Sequence, residues 1–260
     1  MRKLPRRGVL ELAAVGAVSS MVAARAGALG PEIEERDDLA FRGDPARRWA
    51  MVVDLRRCVG CQSCTISCAV ENGVPEASFR TVVSDYEVVR EGSSKRALVP
   101  RMCNHCHSPA CTVVCPTGAT FQRADGVVVV NNTKCVGCAA CVQACPYEGR
   151  YIHPRTRVAD KCTWCAHRID RGLLPACVET CVGGARVFGD LADPSSEVSR
   201  LVREQPTQVL NPAAGTHPRV LYVALDSELA TRPERGLPTL WSREDVDAGG
   251  TTRTHLEDRP

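Results

Sequence analysis

The chain has 260 residues, with 33 bases, 30 acids and 16 cysteines, but only 4 Phe, 3 Trp and 4 Tyr. So few aromatics supply a large packed core poorly, and metal centres are the usual substitute where side-chain burial falls short. The formal charge of +3 belongs to the first residues: without 1–26, 28 bases face 29 acids, and a net charge of −1 gives no support to a nucleic-acid partner.

Residues 1–26 read as an export signal. Arg6-Arg7 stands in a basic start, a mildly apolar stretch runs to Ala24, and Ala24-Arg25-Ala26 offers a small-x-small cleavage site. The paired arginines and an apolar region interrupted by Glu11, Gly16, Ser19 and Ser20 fit the twin-arginine route better than general secretion. An uncleaved anchor is the alternative, disfavoured by Glu11. No other stretch approaches the roughly 20 apolar residues of a membrane span, so the mature protein is expected to be soluble. Residues 27–48 are charged and contain Pro31 and Pro45, as a linker or an arm lying on a partner would.

From Trp49 the pattern changes. Met51–Leu55 predicts a short strand running into the first cysteines. The stretch 69–100 contains a valine-rich piece that suggests an inserted hairpin. Ala119–Gln122 and Val127–Val130 flank Asp125-Gly126, a strand–turn–strand signature. Val187–Gly189 predicts a closing strand and Val220–Leu225 a late one, while 226–260 lacks periodicity and predicts a flexible tail.

The internal repeat is a cysteine quartet. Cys58-x2-Cys61-x2-Cys64-x3-Cys68 comes first, then Cys103-x2-Cys106-x4-Cys111-x3-Cys115 followed by Pro116. Cys135-x2-Cys138-x2-Cys141-x3-Cys145 precedes Pro146, and Cys162-x2-Cys165-x11-Cys177-x3-Cys181 is last, so every cysteine is used. A C-x2-C-x2-C turn wraps three thiolates around one iron–sulfur cube. The fourth cysteine, in the first turn of a helix, faces away from its own loop and in two-cluster ferredoxins ligates the other cube. Quartets are therefore needed in pairs, and these quartets predict four 4Fe-4S clusters. Structural zinc seldom places a third Cys two residues after a CxxC pair. A disulfide framework suits an even count in an oxidising compartment, but CxxCxxC crowds three thiols too closely to pair with distant partners.

Arg57, Lys134 and Lys161 each precede a quartet directly and Arg101 sits two before another. Positive charge there stabilises an anionic reduced cluster and raises its potential, the alternative being plain surface charge. His105 and His107 flank Cys106. With the quartets complete, they are read as hydrogen-bonding to the site or simply exposed rather than as ligands. Trp164, between Cys162 and Cys165, is either an apolar shield for its cluster or ordinary core.

Residues 49–225 resemble the iron–sulfur subunits that partner molybdopterin oxidoreductases of the dimethyl sulfoxide reductase type. Within that group RRWAMVVDLRRCVGCQSCTISCAVEN, CVGCAACVQACPYEGRYI and ADKCTWCAHRIDRGLLPACVETCVGGARVFGDL are most similar to the tetrathionate reductase branch. The resemblance implies an α+β fold of two ferredoxin-like modules each holding two clusters, one module (101–149, quartets two and three) inserted in the other (49–100 and 150–225, quartets one and four). It also implies crossed ligation. One cluster takes Cys58, Cys61, Cys64 and Cys181, and its neighbour takes Cys68, Cys162, Cys165 and Cys177. A third takes Cys103, Cys106, Cys111 and Cys145, and the last takes Cys115, Cys135, Cys138 and Cys141. No cysteine is replaced by tryptophan, as in relatives with a three-iron cluster. The implied role is an electron relay with no catalytic residue of its own, in the periplasm. Its partners would be a quinol-oxidising membrane subunit and a molybdopterin catalytic subunit, the latter carrying the substrate site. The alternatives are the matching subunit of a thiosulfate, polysulfide or sulfite-linked complex, a stand-alone periplasmic polyferredoxin, and a zinc-stabilised interaction module.

Overall fold

A computed structural model of the chain describes residues 41–90 and 93–231. The expected signal, most of the arm and most of the tail lie outside these residues. The elements in order are β1 (Trp49–Asp54), α1 (Ser63–Asn72), β2 (Thr81–Arg90), β3 (Ser93–Met102), α2 (Ala110–Val113), β4 (Thr120–Gln122) and β5 (Val128–Val130). There follow α3 (Ala140–Gln143), β6 (Arg150–Ile152), β7 (Ala159–Lys161), α4 (Ala166–Ile169), α5 (Ala176–Glu179), β8 (Arg186–Asp190), α6 (Glu197–Glu204), β9 (Thr207–Gln208), β10 (Val220–Val223) and α7 (Ser227–Thr231).

The apolar run Ala50–Val53 is buried throughout, because β1 lies inside a four-stranded sheet of order β8-β1-β10-β9. β8 pairs with it antiparallel, Met51 opposite Phe188, as a closing strand should. The late strand β10 pairs with it parallel, Met51 opposite Val220, so the end of the fold sits beside its beginning. One apolar cluster joins Ala50, Val52, Val198 and Val223, with Val187, Leu201, Val202 and Leu221 packed against it. Val198 comes from α6, which Ser196 caps by accepting from Ser199 N–H at 3.1 Å. Gly189 lets that helix approach: a Cβ there would meet Val198 Cγ2 at 3.3 Å. Ahead of β1, Arg48 N–H donates to Asp190 Oδ1 at 2.7 Å and ties the last residues of the arm to β8.

The hairpin expected within 69–100 is β2–β3, ten residues per strand and longer than its apolar piece suggests. Its base is buried at Val83, Val99 and Met102, while its outer half is exposed and carries an ion pair from Arg96 to Asp85. β4 and β5 pair antiparallel about Asp125-Gly126 as expected. β6 and β7 form a further antiparallel hairpin that the sequence pattern did not signal. Its Ile152 and Ala159 pack with Val128, Val130, Cys111 and Cys141 in a second apolar cluster. The tail expectation changes at its start, since Ser227–Thr231 is helical with Leu229 and Ala230 buried and Asn211 N–H donating to Ala230 O at 2.6 Å. The helices of the cysteine motifs pack in pairs, α1 against α5 and α2 against α3. Quartets one and four are thereby brought together, as are quartets two and three.

Candidate iron–sulfur centres

Each quartet begins with the same backbone device. The residue two positions after its first cysteine has a left-handed backbone: Gly60 at φ 70°, His105 at 42°, Gly137 at 68° and Trp164 at 51°. This turn points successive thiols inward. Glycine adopts it freely, whereas a side chain costs about 1–2 kcal/mol. Bulky residues hold the position in quartets two and four, and there they meet. His105 and Trp164, both fully buried, stack with ring centroids 4.0 Å apart. Phe188 lies edge-on to Trp164 at 5.3 Å and stacks on Trp49 at 5.2 Å. Val128 N–H donates to His105 Nδ1 at 3.1 Å, and burial, followed by repulsion from Lys161, keeps the imidazole neutral. Surface exposure, one of the two readings of His105, is thus corrected; His107 is the exposed one.

The thiols gather across quartets. Cys58, Cys61, Cys64 and Cys181 line one cavity, with Gly60, Gly183 and Arg186 in its wall. Cys68 faces quartet four instead: Asn72 Nδ2 lies 3.6 Å from both Cys68 Sγ and Cys165 Sγ. Burial, then repulsion from Cys177 and Cys165, pushes the Cys68 thiol up to about 12. Burial likewise pushes Cys106 to about 12 and Cys111 to about 11, with Cys103 and Cys145 adding to both. Cys135 and Cys141 belong to the apolar cluster that contains Cys111, while Cys138 is exposed and Cys115 half-buried. Four thiols accept backbone N–H bonds: Cys115 from Thr120 at 3.4 Å, Cys135 from Ala159 at 3.4 Å, Cys162 from Trp164 at 3.4 Å and Cys181 from Ala185 at 3.2 Å.

This donor set fits clusters. Thiols packed so closely resist joint ionisation, and iron binding supplies the missing charge by displacing their protons. All sixteen cysteines are free of disulfides. Among the described residues no three His, Cys, Asp or Glu side chains converge as a single-ion site requires. Buried polar atoms without a protein partner occur beside the thiols: both amide atoms of Asn104, His105 Nε2, Trp164 Nε1, and Arg150 Nε and Nη2. Most are donors that want an acceptor, and the sulfides of a cluster are acceptors.

Of the bases ahead of the quartets, Lys161 is fully buried and Arg101 partly buried, donating to Tyr147 O at 3.4 Å; Arg57 and Lys134 are exposed. Besides Arg123, two buried cations were missed, Arg150 and Arg186. Each lies five residues after the last cysteine of a quartet, at the start of a strand. Arg186 Nη2 reaches Cys64 Sγ at 3.4 Å and Thr81 Oγ1 at 2.8 Å, while Arg150 Nη1 reaches Thr120 Oγ1 at 3.2 Å. The two halves thus repeat one arrangement, an arginine opening β8 or β6 and donating to a threonine that opens β2 or β4. A Cys-x4-Arg spacing was the available signal.

Comparison with known proteins agrees with the geometry. The 4Fe-4S dicluster domain family matches residues 94–191. The tetrathionate reductase B subunit of Salmonella typhimurium is 54% identical over 204 residues, 76% of this chain and 82% of the relative. The tetrathionate reductase B subunit of Archaeoglobus fulgidus is 42% identical over 192 residues, 71% and 89% of the two proteins. The polysulfide reductase B subunit of Wolinella succinogenes is 37% identical over 181 residues, 68% and 95%.

Proposed function

The chain belongs to the family of iron–sulfur electron-transfer subunits of molybdopterin oxidoreductases, and on that premise we propose that it is the four-cluster relay of a tetrathionate reductase. The observation that carries the reading is that Cys181 lines the cavity of Cys58, Cys61 and Cys64, while Asn72 Nδ2 lies 3.6 Å from both Cys68 Sγ and Cys165 Sγ, as an exchange of fourth cysteines requires. The ligand sets are then Cys58, Cys61, Cys64, Cys181; Cys68, Cys162, Cys165, Cys177; Cys103, Cys106, Cys111, Cys145; and Cys115, Cys135, Cys138, Cys141. The pairing makes two ferredoxin-like modules, with helix pair α1–α5 at the centre of one and α2–α3 of the other. When bound, the clusters supply one-electron chemistry at the thiol sites.

The protein's own residues do the rest. In the second set every thiol is buried, and in the third only Cys145 is not, so water is largely excluded there. The first and fourth sets each have one exposed cysteine, Cys61 and Cys138. Exposed valines ring them: Val59 and Val182 beside the first, Val113 and Val136 beside the fourth. These two ends are where a catalytic subunit and a quinol-oxidising membrane subunit would dock, and the chain performs no substrate chemistry itself. No helix among the described residues is long and apolar enough to cross a membrane. Attachment to one would run through the partner, after twin-arginine export to the periplasm.

The test is anaerobic purification from the native host with its partners. The reading expects about sixteen iron atoms per chain and copurification with a catalytic subunit that reduces tetrathionate using a reduced viologen. Iron near eight, or a copurifying complex that reduces polysulfide but not tetrathionate, would overturn the corresponding half of the reading.

A further inference from the structure

Three buried cations, Arg186, Lys161 and Arg150, have no carboxylate partner among the described residues. This is not the chain's habit. Buried Arg123 is paired with Asp125 and Asp170, and Arg80 with Asp160. An isolated buried cation costs several kcal/mol, and burial pushes the Lys161 ammonium down, so each of the three needs an anion nearby to stay charged.

Cysteines are among their electrostatic partners, and in each case those cysteines come from two sets. Arg186 touches Cys64 of the first set and interacts most strongly with Cys177 of the second. Burial pushes Lys161 down and nearby Arg150 repels it, while Cys103 and Cys111 of the third set and Cys162 of the second favour its charge. Its Nζ donates to Cys162 O at 2.7 Å and also to Val128 O. Arg150 interacts with Cys111 and Cys103 of the third set and with Cys141 of the fourth. Cys177 and Cys64 repel one another, as do Cys162 and Cys103, so the first set neighbours the second and the second the third, while Cys111 of the third packs with Cys141 of the fourth.

We propose that Arg186, Lys161 and Arg150 are counter-charges interposed one between each successive pair of clusters, so that neighbouring clusters can hold electrons at the same time. The proposal rests on the four-cluster reading. A cube with four thiolates is anionic, and reduction adds a further negative charge, so a reduced cluster opposes reduction of the next across a low-dielectric interior. A fixed cation between them lowers that opposition for both. The distinguishing expectation is pairwise: each cation acts on two clusters and spares the others.

The experiment is an anaerobic redox titration, followed by electron paramagnetic resonance, on the full-length chain and on Arg186→Gln, Lys161→Met and Arg150→Gln. Arg186→Gln should make the first and second clusters harder to reduce, with the reduced-to-oxidised ratio at a fixed potential falling about tenfold, or about 59 mV for a one-electron centre. The third and fourth should stay put. Lys161→Met should move the second and third, and Arg150→Gln the third and fourth. A variant that moves a single cluster, all four together or none overturns the proposal. If a glutamine variant sheds iron, Arg186→Lys and Arg150→Lys decide. Retained iron and near-native potentials support the counter-charge role, and loss of iron from these too overturns it. Failure of the underlying reading shows separately, as fewer than four clusters in the unsubstituted chain.

Discussion

The proposed exchange of Cys68 and Cys181 would make two staples that close almost the same loop, and their energies should not add. Cys58 and Cys181 lie about 120 positions apart in the chain. In the chain-entropy account, a cross-link over a loop of that length stabilises by about 5 kcal/mol. Once one staple is present, the second closes only the short ring formed by the steps Cys64–Cys68 and Cys177–Cys181. For a ring of about eight residues the same relation gives about 2.5 kcal/mol. Cys181→Ser or Cys68→Ser alone should therefore cost about 2.5 kcal/mol, and the double variant about 7.5, some 2.5 more than the sum. The assay is anaerobic amide hydrogen exchange at β1 and β8, whose pairing holds the ends of the loop together. Each single variant should lower protection roughly seventyfold, and the double variant should lose nearly all of it. Resonance spectra supply the ligand assignment, since Cys181→Ser should match Cys58→Ser and leave the Cys162 site nearly normal. Strict additivity, or a Cys181→Ser spectrum that matches Cys162→Ser, would refute the exchange.

Gly183→Ala should cost the protein its first cluster, about a quarter of its iron, because a Cβ there would lie 2.1 Å from Arg57 O; unchanged iron content would contradict this. Tyr222→Phe removes the hydroxyl that donates to Pro100 O at 2.8 Å and leaves a buried carbonyl unpaired. It should destabilise by about 1–3 kcal/mol in anaerobic denaturant titration, with cluster spectra unchanged. Arg6→Lys together with Arg7→Lys should leave a cluster-loaded protein in the cytoplasm, checked by fractionation; normal periplasmic accumulation would count against the twin-arginine route.

The quartets were legible because ligand spacing is a constraint within a few residues of chain, and loop geometry repeats wherever that spacing does. The first strand, the β4–β5 turn and the closing strand were legible for a similar reason: apolar runs and Asp125-Gly126 report local conformation. The outer part of β2–β3 was not, since exposed residues such as Asp85 and Arg96 carry no buried face to alternate with. Arg150 and Arg186 were not legible, because burial of a charge depends on anions brought in from distant segments. Lys161 was singled out by position, but the neighbours that define its role come from two quartets. The stacking of His105 on Trp164 joins residues 59 positions apart, and nothing near either one announces the other. The parallel pairing of β10 with β1 is longer still in range.

That pairing bears on how the molecule is made. During synthesis β1 emerges early, but its two sheet neighbours, Arg186–Asp190 and Val220–Val223, are nearly the last described segments to leave the ribosome. Until then the first three cysteines have neither Cys181 nor a finished sheet behind them. On the proposed ligation, a nascent chain therefore cannot complete its first ligand set until Cys181 has emerged, and cannot complete the sheet behind it until β10 has. The sheet then closes in one late event, when β10 pairs beside β1.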